Sequence, residues 1–256
     1  MTEATISHTK KHQFLSGSTL KIIAMITMLI DHLGAALLYS LPGCYPQNTT
    51  PLFNGCPFTL YELYGTFRNL GRIAFPIYCF LLVEGFFHTK SKEKYAFRLF
   101  LFALISEIPF DLAFNNVFFT FKMQNVFWTL FLGFVCMILL DRQNQIAIQK
   151  AQAPNVQVSN TLLIIFIFVG LATVFKTDYY GLGIILIAIF YKYHNQLKKA
   201  CILGYFSFLW EPFCFPAFLL IPLYNGKKGL NLKYLFYLFY PLHLLLLYTL
   251  RLHFTT

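Results

Sequence analysis

The chain has 256 residues, of which 57% are hydrophobic and 12% charged, with 31 Phe and a mean hydropathy of +0.60. So little polar surface cannot solvate a globule of this size, and the composition points to an all-α, polytopic transmembrane helical bundle. The net charge of +10 does not indicate nucleic acid: no basic-aromatic platform accompanies it, and the excess lies in loops, where it sets topology and meets anionic lipid.

Residues 1–19 read as a cytoplasmic tail. The first apolar run, 20–41, is too long for a signal-peptide core, contains Asp31-His32 and lacks a small-residue cleavage site, so it is kept as a span. Further apolar runs lie near 67–88, 95–113, 126–140, 161–175, 180–193, 199–210, 213–224 and 234–252. They predict about nine spans, with a range of about 8–10, in one integral membrane domain over 1–256 whose bundle covers 20–252. The polar, Gln-rich stretch 142–160 reads as a cytoplasmic loop.

Basic residues sort to one side of this scheme. Lys10, Lys11, Lys21, Lys90, Lys92, Lys94, Arg142, Lys150, Lys192, Lys198, Lys199, Lys227, Lys228 and Lys233 fall in one set of loops, against Lys122, Lys176 and Arg251 in the other. The bias places the N-terminus in the cytoplasm. It also favours splitting 200–224 at Trp210-Glu211-Pro212, because an unbroken span would put Lys227 and Lys228 outside.

Cys44 and Cys56 share the first outside loop and are a candidate disulfide if the exterior is oxidising. Cys79, Cys136, Cys201 and Cys214 read as small apolar packing residues, and no Cys-His grouping has zinc spacing. No internal repeat is visible.

Chemistry is sought where polar groups are buried against their cost. A carboxylate near the bilayer centre costs about 2.5–3.5 kcal/mol, so Asp31 and His32, at mid-depth of the first span, are expected to face a protein interior. Adjacent helical residues point about 100° apart, so Asp31 does not simply orient His32. A workable arrangement has His32 as general base, oriented from another helix, and Asp31 paired with an arginine or polar group across the bundle.

In the second span Arg68 and Arg72 share one face, and Glu84 and His88 share another position four residues apart. The arginines either snorkel to the interface or hold an anionic partner; Glu84 and His88 are either an interfacial pair or part of a site. Glu107 and Asp111 flank Pro109, which is expected to kink the third span. They serve either as a structural bridge to Arg68 or Arg72 or as orienters in an active site. His243, after Tyr240-Pro241, lies about halfway along the last span, as a satisfied core residue or as a partner that meets His32 across helices.

These residues stand in an ordered series of phrases. Lys21-x9-Asp31-His32 is followed by Gly71-Arg72-Ile73-Ala74-Phe75-Pro76, Glu84-Gly85-Phe86 with His88-Thr89, and Ser106-Glu107-Ile108-Pro109-Phe110-Asp111. Then come Asn125-Val126-Phe127-Trp128-Thr129-Leu130, Asp178-Tyr179-Tyr180-Gly181, Tyr224-Asn225-Gly226-Lys227-Lys228-Gly229 and Phe239-Tyr240-Pro241-x-His243. The series resembles the TraX family over about residues 18–250. The resemblance implies a multi-pass protein of the bacterial cytoplasmic (inner) membrane, in a family named for a conjugative-plasmid member that acetylates the N-terminal amine of pilin. By more distant analogy it implies kinship with membrane acyltransferases that draw on cytoplasmic acyl-CoA. Asp31, His32, Arg72, Glu84, Glu107, Asp111, Tyr240 and His243 match motif positions, and Asn125 opens the fifth phrase.

The resulting expectation is an acetyltransferase that moves acetyl from acetyl-CoA to an amine or hydroxyl on a small molecule, a lipid or a protein N-terminus. A thioester is already activated, so no metal is required; the protein must deprotonate the acceptor and stabilise the oxyanion. His32 is the first choice of base and His243 the second, with Asp31 supporting. Arg68, Arg72, Glu84, His88, Glu107, Asp111, Asn125 and Tyr240 are candidate substrate contacts, and Lys198, Lys199, Lys227 and Lys228 candidate partners for the CoA phosphates. Direct transfer and an acetyl-histidine route both stand open, as does the oligomeric state. An ion- or proton-coupled transporter or channel is the principal rival, because intramembrane Asp, Glu, His and Arg also mark ion paths. A structural assembly protein is a second.

Overall fold

The computed structural model describes residues 13–53, 58–230 and 233–255. Its regular structure is helical, and among the described residues extended segments meet only as isolated bridges, such as Leu15 with Tyr224 and Gln124 with Thr177.

Helix α1 (Gly17–His32) opens at Ser16, whose hydroxyl accepts from the Thr19 amide at 3.2 Å. Directly after His32 it widens into a π turn, Leu33–Leu37, then tightens into a 3-10 turn, Leu38–Ser40. Helix α2 (Leu60–Gly71) starts with a capping box of Thr59 and Glu62. Helices α3 (Ala74–His88) and α4 (Lys92–Asn115) follow, and α4 continues through Pro109.

The Asn125 side chain caps α5 (Val126–Gln149), and Pro154 occupies the first position of α6 (Pro154–Val174), where its missing N–H costs nothing. Helices α7 (Tyr180–Lys192) and α8 (Leu197–Ser207) are shorter. The chain then breaks before a 3-10 turn at Pro212–Cys214, α9 (Phe215–Leu220) and α10 (Lys233–Thr255).

Each of the nine apolar runs contains helix. Five helical stretches are long and apolar enough to cross a membrane: Gly17–Ser40, Leu60–His88, Val126–Gln149, Pro154–Val174 and Leu235–Phe254. The 24 residues of α4 have the length, but Lys92, Glu93, Lys94, Arg98, Glu107 and Asp111 dilute its apolar character. The 13 residues of α7 reach about 20 Å, short of a hydrocarbon core of about 30 Å. The break at Trp210-Glu211-Pro212 is present as an interruption between α8 and α9.

One expectation is corrected. Residues 142–160 do not form a loop: α5 runs on to Gln149 and α6 begins at Pro154. Gln, Ala, Arg and Ile at 142–149 are serviceable helix formers, and a helix need not stop where its apolar run stops. Of the Cys44–Cys56 pair, Cys44 is buried and Cys56 lies outside the described residues, as do Lys10 and Lys11. Cys79, Cys136, Cys201 and Cys214 are buried.

The chain forms two compact units. The first comprises the described residues within 1–78, 108–119 and 209–256. Here α1 packs on α2 and α10. The first turn of α1 is held by the loop before α10: the Gly17 and Ser18 amides donate to the Lys227 and Lys228 carbonyls at 2.8 and 2.9 Å. Those two amides would otherwise have no partner within the helix. The second unit comprises residues 79–107 and 120–208. In it α5, α6 and α7 pack together around Cys136, Leu140, Phe168, Ala172 and Ile184.

A glycine decides one of these contacts. A Cβ on Gly71 would overlap the Asp31 side chain, whereas one on Gly65, also in α2, would meet nothing within 4 Å. Gly71→Ala is therefore expected to cost roughly 1–3 kcal/mol by overpacking. Gly65→Ala is expected to be neutral or stabilising by up to about 1 kcal/mol. Thermal unfolding of the purified variants in one detergent compares them; equal melting points would contradict the close approach of α1 and α2.

Candidate active site

In the first unit, charged residues collect at the end of α1. Asp31 Oδ2 accepts from Arg68 Nη1 at 2.7 Å, across the contact that Gly71 leaves open. Arg72, at the end of α2, places Nε 2.8 Å from Glu211 Oε2. Asp31 also feels the charges of Arg72 and Glu211, so two guanidinium groups and two carboxylates form a cluster without net charge. Mutual neutralisation is the condition on which such groups are tolerated inside a helical bundle.

His32 meets His243 of α10. His32 Nδ1 lies 2.7 Å from His243 Nε2, and the rings are parallel within 4° with centroids 5.0 Å apart. A contact that short between nitrogens, with centroids that far apart, means edge-to-edge rings in one plane, as an N–H···N bond requires, and not stacked faces. His243 Nδ1 is also 2.7 Å from the Phe239 carbonyl.

That carbonyl can only accept, so it fixes the protons of the whole pair. His243 carries its proton on Nδ1 and offers Nε2 as acceptor; His32 donates from Nδ1. With one proton on each ring, the remaining lone pair is on His32 Nε2. This atom lies 4.0 Å from Asp31 Oδ2, too far for a direct bond and close enough for one small polar group to reach both. The other carboxylate oxygen, Asp31 Oδ1, is buried and accepts no hydrogen bond among the described residues.

Aromatic rings box the pair in. Phe114 and Tyr240 approach the His32 ring edge-on at 5.2 and 5.9 Å, and Phe239 stacks on His243 at 4.7 Å. The π turn begins immediately after His32; such turns recur at functional positions because they re-aim side chains that a regular helix would misplace. Asp111, fully buried in this unit, accepts from the Asn115 amide at 3.0 Å.

The second unit holds two further polar groups. Buried Glu107 accepts through Oε2 from the Asn125 amide and from Trp128 Nε1, the latter at 2.9 Å. Asn125 also donates to the Ala103 carbonyl at 2.8 Å, and its Oδ1 accepts from the Phe127 amide. One residue thus caps α5 and ties it to α4. Glu84 Oε1 lies 2.7 Å from His194 Nε2. His88 is largely exposed and bonds through Nδ1 to the Glu84 carbonyl at 2.8 Å.

Of the expected site residues, the structure brings Asp31, His32, Arg68, Arg72, Tyr240 and His243 together in the first unit. Glu107 and Asn125 form one group in the second, Glu84 and His88 another. Lys198 and Lys199 are exposed at the start of α8, and the Lys199 ammonium lies 4.6 Å over the Tyr193 ring. Lys227 and Lys228 lie in the loop that holds the first turn of α1.

Sequence reasoning passed over Glu211, Trp128 and His194. Glu211 appeared only as a break in an apolar run, although it is one of just 10 acidic residues in the chain. Trp128 stood unremarked in the phrase that supplied Asn125. His194 lies two residues beyond α7 and carried no periodic signal.

The family model described as "TraX protein" matches residues 16–251. "Probable fimbrial assembly protein FimC, serogroup H1" of Dichelobacter nodosus is 28% identical over 264 residues, which cover 91% of this chain and 94% of that protein. No solved structure matches the chain.

The Glu84 pair has a consequence for pH. The hydrogen bond that His194 donates to Glu84 holds its imidazole above the ordinary value of 6.5, against the opposing effect of burial. The folded state therefore binds this proton more tightly than the unfolded chain. The pair's contribution is complete below about pH 6.5 and is lost as pH rises through the raised folded value. Thermal unfolding of the wild type and His194→Gln between about pH 6 and about pH 9 should show the two melting curves converging as pH rises. A constant gap would refute the assignment.

Proposed function

Because the chain belongs to the TraX protein family, we propose that it is a membrane acetyltransferase that uses His32 Nε2 as its base to move acetyl from acetyl-CoA to an amine. The observation that carries this reading is the line Phe239 carbonyl–His243–His32, which leaves one lone pair beside a carboxylate with a spare oxygen. An acceptor amine that donates to Asp31 Oδ2 would lie within reach of His32 Nε2. His32 takes a proton from the acceptor nitrogen as that nitrogen attacks the acetyl carbonyl carbon. The C–N bond forms, the tetrahedral oxyanion collapses and the C–S bond breaks. CoA then leaves as a thiolate that recovers the proton from His32.

In this scheme Asp31 does two things: it holds the acceptor and stabilises the imidazolium formed on His32. His243 is a positioning residue, because its free nitrogen is occupied by His32 and its proton by Phe239. Arg68 and Arg72 pair with the carboxylates of Asp31 and Glu211. Lys198, Lys199, Lys227 and Lys228 are candidates for the CoA phosphates as point charges. The fimbrial assembly role in the relative's name, with the pilin acetylation for which the family is named, favours a protein N-terminus of a surface-fibre subunit as acceptor. A nine-span arrangement in the bacterial inner membrane, N-terminus in the cytoplasm, belongs to the same proposal, since it gives the donor access from the cytoplasm.

The same row of proton-exchanging groups would also serve a proton-coupled transporter, and the two readings separate in one experiment. Purified protein is mixed with acetyl-CoA and a peptide bearing a free N-terminus, and CoA release is followed. His32→Gln should lower the rate by roughly 10²–10⁴-fold. His243→Gln should act more mildly and displace the pH–rate profile, since it changes the partner of the base and not the base itself. Proton flux into proteoliposomes, with no binding of acetyl-CoA and no loss in well-folded His32→Gln, would overturn the acetyltransferase reading.

A further inference from the structure

Away from the histidine pair, the second unit contains a cavity of about 340 Å³ between α5, α6 and α7. It has a direction. At one end are Asn144 near the end of α5, Gln157 at the start of α6, and Tyr191 and Lys192 at the end of α7. One to two helical turns further in, about 6–12 Å at 1.5 Å per residue, the walls become Leu140, Leu162, Ile165 and Ala188. Three helices thus give the cavity a polar mouth and an apolar interior.

The charge at the mouth is positive. Asp141, the nearby carboxylate, is already satisfied: Lys92 Nζ lies 2.7 Å from it, Gln145 donates to it at 3.2 Å and Tyr191 at 3.4 Å. Lys192 lies 5.8 Å over the Tyr193 ring, and among the described residues no carboxylate pairs with it. Phe87 stacks parallel to Tyr191 at 5.6 Å and holds that wall in place. Helix α6, which forms one wall, has only 11% of its membrane-crossing window buried, so most of that helix would face hydrocarbon. An occupant must bring a negative charge to the mouth, hydrogen-bond acceptors to Asn144 and Gln157, and an apolar chain to the interior.

We propose that this cavity binds an anionic phospholipid, with its phosphate at Lys192 and one acyl chain along Leu140, Leu162, Ile165 and Ala188. A zwitterionic lipid offers the same chain and phosphate but adds a cation beside Lys192, so the site discriminates by net charge. The proposal does not depend on acetyl transfer.

The test uses the full chain, purified in detergent and supplied with phosphatidylglycerol or phosphatidylcholine, with retained lipid counted by native mass spectrometry. Wild type should retain phosphatidylglycerol in preference to phosphatidylcholine by roughly five-fold, the strength of one lysine near a membrane surface. Lys192→Gln, an exposed change at a helix end, should bring the ratio close to one, and Lys192→Arg should keep it. Thr161→Phe, which fills the cavity, should lower retention of both lipids. Equal retention by wild type, or a preference unchanged in Lys192→Gln, would overturn the proposal. So would displacement of the lipid by soluble glycerol phosphate at equal concentration, which would assign the site to free phosphates.

Discussion

A carboxylate placed in the middle of an apolar helix must find a cation or a donor, and in the first unit that requirement organises everything around it. Asp31 takes Arg68 at 2.7 Å. For the two helices to come that close, Gly71 must have no side chain. With one guanidinium committed to Asp31, the next, Arg72, takes Glu211. Charges that would be prohibitive singly become tolerable as a neutral set, and the set fixes where α1 and α2 cross.

The histidine pair depends on the same crossing. His32 is the residue after Asp31, and the helix changes pitch there, from α to π. With Asp31 turned to α2, the His32 ring faces α10 and reaches His243. A single backbone carbonyl then sets the tautomers of both rings. The polarity of the row follows from elementary donor and acceptor counting: a carbonyl at one end cannot donate, so the free lone pair appears at the other. That end lies 4.0 Å from Asp31 Oδ2, the oxygen that also takes Arg68. A base and an anionic binding point come from two adjacent residues because each is held by a different helix.

The second unit meets each buried carboxylate with a different donor. Glu107 is met by an amide and an indole N–H, and Asn125 serves both as a helix cap and as a tie to α4. Glu84 is answered by His194, a residue beyond the end of α7, which makes this pair sensitive to pH where a lysine would not be. These are local solutions to one rule: buried polar groups need partners, and the kind of partner sets what else the group can do.

Reading the chain alone was enough for its class, because no arrangement of 57% hydrophobic residues with 12% charged ones gives a soluble globule. It was also enough for the helix positions, since apolar runs leave the backbone no alternative to internal hydrogen bonding. Asp31 and His32 stood out by cost, and the separation of adjacent helical residues correctly gave them different partners. What a single strand of letters could not supply was pairing. Arg68 and Arg72 are equally spaced charges in the sequence, and only the crossing of α1 and α2 assigns one to Asp31 and the other to Glu211. Glu211 looked like punctuation and His194 carried no signal, because their roles depend on residues more than a hundred positions away. Residues 142–149 looked like a loop by polarity and are helix by propensity. Composition and periodicity are properties of a segment and its solvent; a hydrogen bond between His32 and His243 is a property of two distant segments, and it exists only once the helices between them have packed.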